Sequence, residues 1–245
     1  MLTKMYLTNF MSFKERTAFD FTASKYSILE KTNVSGGTLK GALLIGPNAS
    51  GKSNVLKGLA FIIKMIKGEG ASFFSYRCFF SKNPITILEY EFLFDGKEVK
   101  YIIEYNMETK SISENLKIDD ITVLQRNGNK GELRLGDNIT TDDQLDSQTL
   151  FLRTASFNTG RFPQEPTLRQ LMDFLQNSYI IDGYNMRATY GNAITKYAEE
   201  YGVDKINKYL DEFNYDFVVE YGSESEGAGL KVIVGSEKKA GFFKA

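Results

Sequence analysis

Eight consecutive residues, Gly46-Pro47-Asn48-Ala49-Ser50-Gly51-Lys52-Ser53, fit the pattern G-x-x-x-x-G-K-[ST]. The chemistry these residue types can do is anion binding. Glycines let the backbone curl until successive N–H groups point inward, and a following helix adds the positive end of its dipole. On this template the amides of residues 49–53 cradle nucleotide phosphates, Lys52 reaches the outer phosphates, and the Ser53 hydroxyl ligates Mg²⁺. The candidate cofactor-binding set is Gly46, Pro47, Asn48, Ala49, Ser50, Gly51, Lys52, Ser53 and Asn54, with Ser53 as the metal ligand.

Such a loop works only between a strand and a helix, and the flanking sequence predicts both. GALLI, residues 41–45, reads as a compact apolar strand entering the loop. After Ser53, Leu59, Ile62, Ile63 and Ile66 fall at i, i+3, i+4 and i+7, one helix face, with Gly68 as the stop. A chance glycine-rich turn would not need this context.

Residues 85–135 change rhythm. Thr86, Leu88, Tyr90, Phe92 and Phe94 alternate with Glu89 and Glu91, and Asp95-Gly96 is a hairpin turn into Val99, Tyr101, Ile103 and Tyr105. Further short runs follow, so this region is expected as an antiparallel subdomain. Leu168, Leu171, Met172 and Leu175 return to the helical period behind Pro166. The expected fold class is α/β: an incomplete P-loop NTPase core over 1–68 and a β-subdomain over 85–135. A helical segment over 144–213 and a β-hairpin over 214–245 returning to the core complete one ATP-binding domain. Residues 40–66 are expected in a separate, mainly parallel sheet.

Composition narrows the chemistry. The chain has no histidine, so Ser-His-Asp and Cys-His catalysis and imidazole-ligated metal sites are excluded within it. Cys78 stands alone, which excludes an intramolecular disulfide. Lys plus Arg number 30 against 31 Asp plus Glu, so no bulk charge points to nucleic acid or membrane. No apolar run approaches a membrane span, and a cytoplasmic protein is expected.

The loop Gly-Pro-Asn-Ala-Ser-Gly-Lys-Ser-Asn, with the opening YLTNFMSFKERTAFDF, resembles ABC-type ATPases outside the transporters: the SMC, RecF and OLD (overcoming lysogenization defect) groups. The resemblance is specific over residues 1–66 and architectural beyond. Ala49 departs from the glycine of many transporter-type loops. The resemblance implies bound ATP and Mg²⁺, a site completed by a head-to-tail homodimer or a remaining ATPase half, and ATPase activity when complete. It further implies work on DNA, in repair or phage defence, with a nuclease or other effector.

It also implies parts that the sequence does not display. Hydrolysis in that family needs an apolar strand ending in Asp-Glu. FVVE ends in Glu220, FLFD in Asp95 and YIID in Asp182, but each reads as an ordinary strand end. Glu224-Ser225-Glu226-Gly227 resembles a signature loop superficially and reads as a hairpin loop. No catalytic residue is assigned, and Gln125, Gln144 and Gln148 remain alternatives for the family's glutamine. Lys57, Lys64 and Lys67 read as a solvated face, Arg153, Arg161, Arg169 and Arg187 as scattered, and Tyr26 and Phe13 as core before adenine contacts. A P-loop kinase or GTPase is a rival, though N-K-x-D is missing at Asn207-Lys208-Tyr209-Leu210. A non-catalytic assembly module that uses ATP to set its dimer state is another.

Overall fold

The computed structural model describes residues 1–25, 30–69, 73–178, 180–182, 187–189, 198, 200–212, 217–221, 229–234 and 239–244. Tyr26 and the Glu224–Gly227 stretch lie outside them. Two compact units divide the chain, Met1–Gln176 and Asn177–Ala245.

In the first unit, period-2 sequence becomes one sheet. Strands β1 (Leu2–Thr8), β2 (Thr17–Asp20), β5 (Ile85–Phe94), β6 (Lys97–Asn106), β7 (Ser111–Ile118), β8 (Ile121–Asn127), β9 (Lys130–Leu135) and β10 (Asn138–Asp142) stand in the order β10-β9-β8-β7-β6-β5-β1-β2. Every ladder is antiparallel. Asp95 and Gly96 both take positive φ, 49° and 82°, the geometry a two-residue hairpin needs. A small ladder joins β3 (Val34–Ser35) to β4 (Thr38–Leu39), after a single helical turn, α1 (Glu30–Asn33).

One sheet face is covered by helices. α2 (Lys52–Lys67), α3 (Phe151–Phe157) and α4 (Pro166–Gln176) bury Ile62, Ile66, Phe151, Leu171 and Leu175 on the side of Leu88, Tyr90, Phe92, Tyr101 and Ile103. α2 comes close to β1 because Gly58 carries no side chain: a Cβ there would lie 3.0 Å from both Leu7 methyls. Tyr90 donates its hydroxyl to the Gly58 carbonyl at 2.7 Å, tying sheet to helix. Phe174 of α4 meets Phe92 and Phe94 edge-on, each at 5.9 Å. The other face carries ion pairs such as Arg16–Glu89 at 2.7 Å.

Two expectations are corrected here. Residues 41–47 form no strand: Leu43 and Ile45 are 82% and 85% exposed. β1 has β2 and β5 as its neighbours, so the run does not lie beside it. A separate parallel sheet around residues 40–66 is likewise not found among the described residues, because β1 and β2 join the same antiparallel sheet as β5 to β10.

In the second unit, β11 (Ile180–Asp182) pairs with β12 (Arg187–Thr189), inside the span read as helical. α5 (Val203–Glu212) then packs on β13 (Phe217–Tyr221), with Val203, Ile206 and Leu210 around Val219. Asn207 brackets Val219, donating to its carbonyl at 2.9 Å and accepting from its amide at 2.7 Å. β13, β14 (Gly229–Val234) and β15 (Lys239–Lys244) make three antiparallel strands where a two-stranded hairpin was expected.

Candidate nucleotide-phosphate site

The loop of residues 46–53 runs into the N-terminus of α2. Gly51 precedes the helix at φ 96°, ψ 1°, a left-handed conformation that glycine alone adopts freely. A Cβ on Gly51 would lie 3.0 Å from Ser12 Oγ and 3.2 Å from Phe13 Cζ, so the neighbouring turn also demands glycine. At Gly46 a Cβ would approach Ser50 Oγ to 2.9 Å. Ala49 holds φ 63°, where a side chain costs about 1–2 kcal/mol. That explains why many loops of this kind carry glycine at its position.

Asn54 N and Val55 N donate to the Gly51 carbonyl at 2.9 and 3.1 Å, which starts the helix. The amides of Lys52 and Ser53 come before the first intrahelical bonds, and the N-cap supplies no side-chain acceptor. They carry the positive end of the α2 dipole. Lys52 Nζ donates to the carbonyls of Gly46 at 2.8 Å and Pro47 at 2.6 Å, spanning the loop, with Ser50 Oγ at 3.5 Å. Residues 48–54 line a concavity of about 350 Å³, and none of the described residues lining it carries a carboxylate. Ser50 N donates to the Pro47 carbonyl at 3.3 Å, while positive φ at Ala49 and Gly51, the Lys52 and Ser53 amides ahead of the helical ladder, a lysine held by neutral oxygens and an exposed Ser53 fit a nucleotide's phosphates and Mg²⁺. Asn54 points elsewhere: its Nδ2 donates to Ser12 Oγ at 2.9 Å.

The far end of α2 is anchored. Gly68 at φ 78° donates to the Met65 carbonyl, and Glu69 N donates to that of Lys64. Arg153 of α3 donates to the Ile66 carbonyl at 2.5 Å and lies 4.6 Å over the Phe157 ring. It presses on Gly68, where a Cβ would sit 2.8 Å from Nη2.

A second polar centre, unforeseen from the sequence, fixes α3. Glu114 is buried on β7 and accepts from Tyr101 Oη at 2.6 Å, Arg126 Nη1 at 3.2 Å, Phe151 N at 2.7 Å and Leu152 N at 3.3 Å. Arg126 also donates to the carbonyls of Gly128 and Thr149, each at 2.6 Å, and to that of Asp146. The carboxylate therefore meets the positive end of α3 while its guanidinium partner ties down Asp146 and Thr149 just before it. Burial, then the Glu114 charge, pushes the Tyr101 phenol well above its ordinary pKa and keeps it a neutral donor. The signal was available: Glu114 interrupts the inward series Ile112, Leu116 and Ile118.

The remaining candidates lie apart from the concavity's lining. Asp95 occupies the β5–β6 turn and accepts from Gln170 Nε2 at 2.5 Å. Glu220 is exposed on β13. Asp182 ends β11 in register with Arg187. Gln125 is exposed on β8, while Gln144 N and Gln148 N donate to Asp142 and Asp146. Arg161 pairs with Asp142 at 3.1 Å. Among the described residues no cluster of three or more Cys, Asp or Glu is arranged to hold a metal, and no helix is long and apolar enough to cross a membrane.

A mixed α/β domain with a large antiparallel sheet, a helical layer and this loop at a helix N-terminus is a P-loop NTPase-like domain. The family described as "AAA domain, putative AbiEii toxin, Type IV TA system" matches residues 42–169, more than half of the chain, and the chain belongs to it. The match starts in the exposed run before the loop and ends within α4, so the antiparallel meander is part of the family's own domain. Membership makes this a nucleotide-binding domain of the AAA ATPase type. No curated protein matches the chain.

Proposed function

We propose that this domain grips ATP and Mg²⁺ through residues 46–53 and belongs to the SMC/RecF/OLD-like branch of such ATPases. The observation that carries the reading is Lys52. Its ammonium is held across the loop by two carbonyls and a hydroxyl, with no carboxylate among the described lining residues to neutralise it. A cation so held can turn to an anion without breaking an ion pair. Bound Mg²⁺-ATP would supply the γ-phosphoryl group as the reacting centre. Lys52 would hold the outer phosphate oxygens, the amides of residues 49–53 their neighbours, and Ser53 Oγ the metal.

Hydrolysis also needs a group to orient water and further charge to stabilise the transition state. The described lining residues offer neither. In this reading a head-to-tail second copy, or a remaining ATPase half, completes the site. The complete machine acts in DNA repair or phage defence with a nuclease or other effector, in the cytoplasm. The same lack of a carboxylate favours a second reading, an assembly module in which bound ATP sets the dimer state and is turned over little. Binding without transition-state groups lowers the ground state and leaves the barrier largely untouched. Purified chain given Mg²⁺-ATP should release phosphate only at a trace rate, far below the ~1–10³ s⁻¹ common for enzymes. Robust release that vanishes in Lys52→Ala would overturn the need for completion, and Glu220 would then be the first carboxylate to replace.

A further inference from the structure

We infer that the turn of residues 9–13 is a positioning element for the phosphate loop, acting through a Ser12–Asn54 clasp. This rests on the nucleotide-binding reading above and adds residues that neither the loop motif nor the family match contains. Ser12 and Phe13 lie upstream of residue 42, where that match begins.

Three contacts join the turn to the loop. Asn54 Nδ2 donates to Ser12 Oγ at 2.9 Å, one helical turn into α2. Ser12 Oγ and Phe13 Cζ also close on Gly51, at 3.0 and 3.2 Å from where its Cβ would be. Gly51 and Asn54 lie on either side of Lys52 and Ser53, so the turn braces the two residues that would meet the outer phosphates and the metal. A helix end that rocked by a fraction of an ångström would misdirect the amides of both.

The turn is built to be rigid. Asn9 and Met11 both take φ 51°; asparagine tolerates it, but for Met11 it is strained and persists only where surroundings over-determine it. Those surroundings are explicit. Phe10 N donates to the Phe13 carbonyl at 2.9 Å and Phe13 N to that of Phe10 at 2.8 Å. Met11 N donates to the Tyr76 carbonyl at 2.6 Å. Buried Asn9 donates through Nδ2 to the carbonyls of Asn83 and Ile85, at 2.7 and 2.9 Å. Its own carbonyl accepts from Cys78 N and Thr86 Oγ1, both at 3.1 Å. Phe10 stacks on Tyr76 at 5.3 Å and 9° between planes. The brace is thus anchored in β5 and the segment before it, and Tyr76 in turn meets Phe61 of α2 edge-on at 5.5 Å. Ser12 itself is exposed, so core packing does not account for it.

The test is calorimetric titration of the whole chain with Mg²⁺-ATP and, separately, with inorganic tripolyphosphate, which shares the phosphates but has no base. Ser12→Ala and Asn54→Ala should each weaken both ligands by a similar factor, about 2- to 10-fold for one lost hydrogen bond. The double variant should be no weaker than the worse single one, because either change opens the same clasp. Ser12→Thr, which keeps the hydroxyl, should restore most of the affinity. Thermal midpoints without ligand should stay close to wild type, separating positioning from folding. Wild-type, Lys52-dependent binding left unchanged by Ser12→Ala and Asn54→Ala would overturn the clasp and leave the nucleotide reading intact. Additive losses, or losses confined to ATP, would overturn it too. Failure of the wild-type chain to bind either ligand would instead overturn the nucleotide reading itself.

Discussion

Lys52 and Arg126 are both cations whose N–H groups are taken up mainly by backbone carbonyls, and they do opposite jobs. Arg126 is buried, shares its charge with Glu114, and ties two carbonyls of the loop before α3, and that of Gly128 in the β8–β9 turn, to the sheet. Lys52 sits at the surface end of α2, holds two carbonyls and a hydroxyl, and has no carboxylate among the described residues lining its concavity. Arg126 cannot let go without stranding a buried anion. Lys52 can exchange its carbonyls for phosphate oxygens at little cost, because surface water and neutral oxygens are weak competitors for a charged acceptor. The lesson is that the partner, and not the cation, separates structural from functional charge in this fold.

The comparison breaks hardest at Arg126. Arg126→Met leaves Glu114 buried without its counter-charge and should destabilise the first unit by about 3–5 kcal/mol, read as a lowered denaturant midpoint. Adding Glu114→Gln should recover part of that loss. A double variant as unstable as the single one would mean that the carbonyl contacts, not the ion pair, matter most.

Arg153 tests the middle ground. It caps the far end of α2 through the Ile66 carbonyl and covers the Phe157 ring, with no carboxylate within ion-pair distance among the described residues. Arg153→Ala should cost about 1–2 kcal/mol of stability, less than Arg126→Met, and leave nucleotide affinity nearly unchanged.

A smaller effect sharpens the comparison through pH. Burial alone would raise the Asp146 carboxyl, but the amides of Gln148 and Thr149 outweigh it and hold it below its ordinary value. A depressed carboxylate contributes stability above its unfolded pKa, about 4, and loses it as pH falls through the lower folded value. Wild-type stability should therefore drop more steeply on acidification below about pH 4 than that of Asp146→Asn. Solvent screening keeps the difference within about 1 kcal/mol. The smallest effect belongs to Ala49→Gly. Relief of left-handed strain, partly offset by glycine's extra chain entropy, should stabilise the loop by about 0.5 kcal/mol, seen as a slight rise in thermal midpoint.

The sequence made the loop and the helix after it legible because both are local. The motif's glycines and the 3.6-residue period of Leu59, Ile62, Ile63 and Ile66 need no distant partner to be read. The alternation from Thr86 to Phe94 and the Asp95-Gly96 turn are equally local. What stayed hidden depends on pairing across the chain. GALLI has the composition of a strand, but a strand needs a partner across the chain, and β1 takes β2 and β5 instead. That β1 and β2 share one sheet with β5 to β10 is a topological fact with no local signature. The Glu114–Arg126 pair and the Ser12–Asn54 contact join residues 12 and 42 positions apart. Only Glu114 left a trace, as a charge on an apolar face.

The account's central claim is that Lys52 is a reserve cation awaiting phosphate. The most direct measurement is calorimetric titration of Mg²⁺-ATP into wild-type chain and Lys52→Ala, each with its thermal midpoint recorded in the absence of ligand. Losing the charge-assisted contact should weaken ATP by about 2 kcal/mol or more, roughly 30-fold, while the midpoint stays near wild type. Equal affinity in the two proteins, or a midpoint collapse like that expected for Arg126→Met, would contradict it.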